Sequence, residues 1–169
     1  SEIRAENDLD GGGIVEEYIL KDNRLTITEE GQLLWQTGKE WDVAGFVLGN
    51  VNNDGNDNLL ISLWKTGSFG SVKPFWHSGD DSYKNHLFVY KLEDETFQPV
   101  WCSSDLDRPI ISFEIDDIDN DGLNELVVKE GAYREISKGR YALDTRAPFQ
   151  VSVWKWEEWG FRFQETLSL

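Results

Sequence analysis

Several residue types are scarce in this sequence, and each scarcity excludes a class of protein. A single cysteine, Cys102, allows no internal disulfide, and its strand-like surroundings predict a buried, unreactive thiol. The only histidines are His77 and His86, and neither has a nucleophile or a second metal-ligating side chain at a useful spacing. We therefore expect no catalytic residues and no enzyme activity.

Positive charge and long apolar runs are scarce as well. Sixteen Lys and Arg residues stand against 32 Asp and Glu residues, which gives a net charge of −16. Nucleic acids and anionic membrane surfaces bind basic footprints, so the sequence argues against both as partners. No stretch of about 18 apolar residues is present, so we expect no membrane insertion. The chain begins at Ser1 and contains no methionine, which is typical of a mature or trimmed chain.

Aromatic residues, by contrast, are plentiful. Eight Trp, nine Phe and five Tyr residues in a chain that is 39% hydrophobic indicate a packed globular protein. The length of 169 residues suits one domain over 1–169.

The most specific segment is an acidic loop at 117–125. Its carboxylates at positions 1, 3, 5 and 9 are those of Asp117, Asp119, Asp121 and Glu125. Position 6 is Gly122, and the backbone carbonyl of Leu123 at position 7 is a further candidate ligand. Calcium binds roughly six to eight oxygens, and alternate acidic residues on a tight turn provide them. An EF-hand would need a glutamate at position 12, where this chain has Val128. Short β-branched runs flank the loop, so we predict that it joins two strands.

Two weaker copies of this loop precede it. The segment 50–58 offers side-chain oxygens at alternate positions, from Asn50, Asn52, Asp54, Asn56 and Asn58. The segment 8–16 keeps Asp8, Asp10 and Glu16 but has Gly12 at position 5. A turn without metal is the alternative for each loop, because Asx side chains also stabilise turns through their own backbone.

Each loop is followed by a strand and then by a hairpin whose last strand carries an aromatic residue, Trp35, Trp101 or Phe163. A strand, a DxDxDGxxE loop and a second strand resemble the FG-GAP/VCBS repeat family. In that family each unit is a β-propeller blade of four antiparallel strands, with a calcium loop between its first two strands. The resemblance implies an all-β fold with blades at about 1–37, 41–103 and 109–167. Since propellers usually have about four to eight blades, three would form a partial propeller or a ring completed by other copies.

Two long connections lie between the second and third strands of the second and third units. Because strand direction alternates, we expect them at the end of the sheets opposite the acidic loops. The connection 66–85 carries aromatic residues among Gly, Ser and Asp, and Phe69, Trp76 and Tyr83 are candidate ligand contacts. The alternative is that these rings cover the sheet. The connection 131–148 is locally basic, which suits recognition of carboxylates.

These features predict a non-catalytic, calcium-stabilised module that binds a protein or a glycan through its long connections. The resemblance implies such a binding role without naming the ligand. A secreted or cell-surface location is expected, because extracellular calcium fills sites that would be empty in the cytosol. The alternatives are a structural subunit of a surface assembly, including a homo-oligomer, and an accessory domain of a hydrolase that acts on an anionic polymer.

Overall fold

The computed structural model describes residues 1–67 and 81–167, which form fourteen β-strands and no helix. The strands are β1 Glu2–Asn7, β2 Glu16–Lys21, β3 Arg24–Glu29, β4 Gln32–Gln36, β5 Asp42–Gly49, β6 Asn58–Thr66, β7 Tyr83–Glu93, β8 Thr96–Cys102, β9 Ile110–Asp116, β10 Glu125–Glu130, β11 Tyr133–Ser137, β12 Arg140–Leu143, β13 Gln150–Glu157 and β14 Gly160–Leu167. This confirms the all-β prediction. Within the described ranges no helix could cross a membrane.

The first sheet is an antiparallel meander in the order β1-β2-β3-β4. Alternation along β2 turns Tyr18 and Leu20 into the core. The turn between β2 and β3 has two residues, Asp22 and Asn23, both with positive φ (52° and 61°), which is the geometry that matches the twist of a tight hairpin. The opposite face of this sheet is polar, and there Arg4 forms an ion pair with Glu17 at 2.5 Å.

The second sheet lies in the middle of the molecule. Strands β5, β6, β7 and β8 pair antiparallel in chain order. Leu59, Ile61 and Leu63 of β6 belong to a core shared with the first sheet, while Leu60 belongs to a core shared with the third. A strand covered on both faces needs a nearly continuous apolar run, and β6 has one from Leu59 to Trp64, interrupted only by Ser62.

The third sheet has the order β14-β13-β10-β9, all antiparallel. The connection between β10 and β13 contains the hairpin β11–β12, which the sequence did not reveal. This hairpin extends the second sheet through one parallel pair, Arg140 with Tyr83. The two long connections of the sequence therefore meet at the beginning of β7.

Four tryptophans pack against the two cores: Trp35 against the first, and Trp101, Trp154 and Trp156 against the second. The prediction of a buried Cys102 was wrong, because Cys102 is exposed at the end of β8. Cys102 is the last residue of β8, opposite Phe88, so it lies at the end of the strand, beyond the covered part of the sheet.

Candidate metal centre

The three predicted loops share one backbone conformation. Positions 4 and 6 have a left-handed backbone in every loop. The φ values are 69° at Gly11 and 90° at Gly13, 61° at Asn53 and 89° at Gly55, and 59° at Asn120 and 87° at Gly122. Asparagine and glycine are the residues that adopt this conformation most readily. The glycine at position 6 was part of the sequence pattern, whereas the role of position 4 was missed.

The loop 117–125 directs its carboxylates inward through bonds from its own backbone. The amide of Gly122 donates to Asp117 Oδ2 at 2.8 Å, the amide of Asp121 donates to Asp119 Oδ1 at 3.2 Å, and the amide of Leu123 donates to Asp121 Oδ1 at 2.8 Å. As a result, Asp117, Asp119, Asp121 and Glu125 each place one oxygen within 4.8 Å of the others. Two oxygens that each lie about 2.3–2.6 Å from one calcium ion can be that far apart.

Glu125 is the innermost member of this group, with 1% of its surface exposed. Its Oε1 accepts a hydrogen bond from the amide of Ile118 at 3.2 Å, and its Oε2 is buried without a hydrogen-bond partner. Burial raises the pKa of Glu125, and the nearby carboxylates of Asp119 and Asp121 act in the same direction. A buried, unpartnered carboxylate oxygen is costly, and a cation at this point would satisfy it.

The loop 8–16 repeats this arrangement. The amide of Gly13 donates to Asp8 Oδ2 at 2.9 Å, and the amide of Leu9 donates to Glu16 Oε1 at 2.7 Å. Glu16 is fully buried, and its Oε2 and the Oδ1 of Asp8 are both buried without a partner. The carboxylates of Asp8, Asp10 and Glu16 lie within 4.8 Å of one another. The structure thus brings together the acidic residues predicted in this loop.

Tyr18 completes the buried end of this loop. Its hydroxyl donates to Glu16 Oε1 at 3.0 Å. Burial, followed by the charge of Glu16, raises the pKa of Tyr18 well above its usual value, so the hydroxyl keeps its proton. Burial also raises the pKa of Glu16, with smaller contributions from Asp10 and Asp8. Tyr18 was not recognised in the sequence as part of the loop environment.

The loop 50–58 has the same backbone with less charge. Asp54 Oδ1 accepts from the amide of Asn56 at 2.9 Å, and Asn52 Oδ1 accepts from the amide of Asp54 at 3.4 Å. The amide oxygens of Asn50 and Asn58 are buried without a partner. Neutral oxygens can bind a hard cation, but a single carboxylate among the alternate positions makes this loop the weakest of the three.

The three loops lie side by side. Asn7, just before the first loop, donates from Nδ2 to Asp57 Oδ2 at 3.1 Å. The amide of Asn124 in the third loop donates to Asn53 Oδ1 in the second at 2.8 Å. Negative charge is therefore concentrated on one side of the molecule, where Lys155 of β13 approaches Asp119 Oδ2 to 3.4 Å. Its hydrogen bond with Asp119 raises the pKa of Lys155.

The candidate ligand contacts on the long connection 66–85 have different positions. Phe69 and Trp76 lie outside the described residues. Tyr83 is half-buried at the start of β7, where its hydroxyl donates to Asp42 and its ring stacks on Trp64 at a centroid distance of 6.0 Å. The guanidinium of Arg140 lies 4.1 Å from the centre of the Tyr83 ring.

No known protein-family model matches this chain, and a search of curated proteins finds no significant match.

Proposed function

We propose that this chain is a non-catalytic, calcium-stabilised binding module of the FG-GAP/VCBS repeat type. One observation carries the proposal: in loops 8–16 and 117–125, a buried glutamate belongs to a group of carboxylates and has an oxygen that is buried without a hydrogen-bond partner. Glu16 and Glu125 hold the same position in two loops that share a backbone conformation. A metal-free acidic turn gives no reason to bury a glutamate in this way twice.

Calcium is the cation that suits these donors best. All of the candidate ligands are oxygens, which favours a hard cation over zinc or copper. Calcium accepts irregular geometry and about six to eight ligands, whereas magnesium requires a near-ideal octahedron. A sequence-local loop that combines carboxylates with a backbone carbonyl fits the more tolerant ion.

The sheets support the propeller-like part of the proposal. Each acidic loop joins the first two of four consecutive antiparallel strands, β1–β4 in the first sheet, β5–β8 in the second and β9, β10, β13 and β14 in the third. This is the position of the calcium loop in the family that the sequence resembles. The polar outer face of the first sheet, with Arg4 paired to Glu17, is typical of a terminal unit that needs no further neighbour.

The side with the two long connections is the proposed binding surface. Here the amide of Tyr83 donates to the carbonyl of Gly139 at 2.7 Å, which joins one connection to the other. Arg134, Lys138 and Arg140 are exposed on the hairpin β11–β12. Rings and cations at one place in an acidic protein suit a glycan or protein ligand that carries carboxylates. A secreted or cell-surface location follows if the loops fill at millimolar calcium.

Catalysis is not part of the proposal. His86 is fully buried, with Nδ1 at 3.2 Å from the carbonyl of Ser103 and Nε2 at 3.0 Å from Asp105 Oδ1. An enclosed histidine in this position stabilises the second sheet and has no access to a substrate.

Thermal unfolding tests the calcium site. In excess EDTA and then in about 2 mM Ca²⁺, the wild type should gain stability of about 2.7 kcal/mol for each site at a hundredfold excess over its Kd. Asp119→Ala should lose the part of this calcium-dependent stability that comes from loop 117–125. Glu135→Gln, which changes an exposed acid on β11, is the matched control and should gain as much stability from calcium as the wild type does. Equal melting temperatures with and without calcium in the wild type would refute the proposal.

A further inference from the structure

Trp159 has the most exposed large apolar side chain in the described part of the chain, with 86% of its surface accessible. It lies at the tip of the hairpin β13–β14, where Glu158 and Trp159 form the turn. Its indole makes no hydrogen bond and no ring contact with any other described residue, whereas Trp101 and Trp156 pack against the second core. Single exposed apolar residues are common on protein surfaces, so the surroundings of Trp159 decide whether it can bind a partner.

Trp159 forms one wall of a cleft between the tip of this hairpin and loop 50–58. The cleft has a volume of about 580 Å³, and ligand sites typically have roughly 300–1,000 Å³. Its lining consists of two indole rings, two carboxylates and one amide, from Trp156, Trp159, Glu157, Glu158 and Asn52. Loop 50–58 precedes β6 and the connection 66–85 follows it, so the cleft lies at the end of the sheets opposite the long connections.

The hairpin holds the tryptophan wall in a fixed position. Gly160, which follows Trp159, lies against the indole of Trp101, where no Cβ fits. The ring of Phe161 packs edge-to-face on Trp156 at a centroid distance of 5.1 Å and on Trp101 at 5.4 Å. A cleft whose walls are set before binding loses little conformational entropy when a ligand enters.

The charge of the cleft favours a cation. Glu157 forms an exposed ion pair with Arg162 at 3.4 Å, and Glu158 forms no ion pair within residues 1–67 and 81–167. The net charge of −16 and the acidic loops at this end of the molecule would repel an anionic ligand. Trp is the aromatic residue that binds cations best through its ring face, and a carboxylate can pair with the same cation. Arginine uses both interactions, because its planar guanidinium stacks on rings and pairs with carboxylates.

We propose that this cleft binds an arginine side chain of a basic protein partner, with the guanidinium stacked on Trp159 and paired with Glu158. It is a second binding surface, with a preference for charge opposite to that of the side with the long connections. It requires no bound calcium, so the inference is independent of the calcium proposal. Long-range attraction to the acidic chain speeds association with a basic partner, and the ring contact supplies the specificity.

Isothermal titration calorimetry with a hexa-arginine peptide tests the inference at about 0.15 M salt, where long-range attraction is largely screened. Trp159→Ala should bind the peptide roughly tenfold more weakly, and Glu158→Gln up to about fivefold more weakly. A hexa-citrulline peptide, which keeps the shape of the side chain without its charge, should bind at least about tenfold more weakly than hexa-arginine.

Two variants outside the cleft serve as controls. Leu33→Ala removes another strongly exposed apolar side chain, 63% accessible, and Glu135→Gln changes an exposed acid on β11. Both should bind hexa-arginine as the wild type does. Trp159 lies at the surface, so Trp159→Ala should fold normally, and a thermal melt checks this.

A wild-type protein that does not bind hexa-arginine would overturn the inference. Equal affinities of the wild type and Trp159→Ala would also overturn it, because binding would then depend on overall charge alone, and so would equal weakening in Glu158→Gln and Glu135→Gln. If hexa-citrulline bound as tightly as hexa-arginine, or if cellohexaose bound in a Trp159-dependent manner and hexa-arginine did not, the cleft would belong to an uncharged ligand and the inference would fail.

Discussion

Asn53 and Asn124, 71 residues apart in the chain, hydrogen bond to each other across two neighbouring loops. Asn53 Nδ2 donates to the carbonyl of Asn124 at 3.2 Å, and the amide of Asn124 donates to Asn53 Oδ1 at 2.8 Å. One side chain thus pairs with both backbone groups of a residue in another sheet. The least acidic loop is held in place by the most acidic one.

Removal of this side chain should destabilise the protein. Asn53→Gly keeps the left-handed backbone and loses the two hydrogen bonds, which should lower the free energy of unfolding by about 1–3 kcal/mol. Asn53→Ala should lose about 1–2 kcal/mol more, because its Cβ disfavours a φ of 61°. Urea unfolding in EDTA measures both. Equal stability of wild type and Asn53→Gly would show that the cross-loop pair contributes nothing.

The local part of the site could be predicted from sequence, because a nine-residue loop carries its ligands in order. Asp117, Asp119, Asp121 and Glu125 converge as the spacing predicted. The approach of Glu29 and Glu95 to Asp10 could not be predicted in this way. They come from different turns, and only the packing of the first sheet on the second brings them together.

The fold, too, could be predicted from the sequence only in part. Short β-branched runs and Asp- or Gly-rich turns identified the strands of the four-stranded sheets. The hairpin β11–β12 escaped because Tyr133–Ser137 is largely exposed and rich in charge, so no clean alternation of apolar and polar residues marks it. Its partner at the start of β7, Tyr83, lies 57 residues before Arg140, and sequence spacing alone gives no sign of that pairing.

Lys155 should compete with calcium at loop 117–125. Its Nζ lies 3.4 Å from Asp119 Oδ2 and 3.9 Å from Asp121 Oδ2, so it places a positive charge next to two of the candidate ligands. Exposed ion pairs contribute about 0.2–1 kcal/mol, so Lys155→Gln should bind calcium up to about fivefold more tightly. Terbium luminescence, sensitised by nearby tryptophans, gives the affinity at this loop.

Arg162→Gln is the control for that experiment. It removes the same charge from β14, directly across from Lys155 in the sheet, where Arg162 pairs with Glu157 at 3.4 Å. Its calcium affinity should match that of the wild type. Weaker binding in Lys155→Gln would show instead that the lysine orients the carboxylates for the metal.

Gly160 begins β14 under the indole of Trp101, and a larger residue has no room there. A Cβ at this position would overlap the Trp101 ring, and φ is 134°. Gly160→Ala should therefore destabilise the protein by about 1–3 kcal/mol through overpacking, beyond the backbone strain. Gly139→Ala is the matched control, because φ there is 75° but no atom lies within 4 Å of the added carbon. A thermal melt that ranks the two variants equally would contradict this account of the contact.

The buried glutamates should give the metal-free protein an unusual pH dependence. Burial raises the pKa of both Glu16 and Glu125 above the value of about 4.3 expected in the unfolded chain. The folded state therefore binds protons more tightly than the unfolded state at these two positions. Stability from this source is fully present below the unfolded pKa and is lost as pH rises through the raised pKa.

In EDTA, the double variant Glu16→Gln with Glu125→Gln lacks this loss, so its stability relative to the wild type should increase as pH rises above the unfolded pKa of about 4.3. Glu6→Gln with Glu114→Gln, which changes two exposed strand residues, should show no such trend. Saturating calcium should reverse the order at neutral pH, because the wild-type carboxylates bind the ion and the amides bind it poorly. Parallel pH profiles for the wild type and the double variant in EDTA would mean that the two glutamates titrate normally, and the energetic argument for a cation beside them would fail.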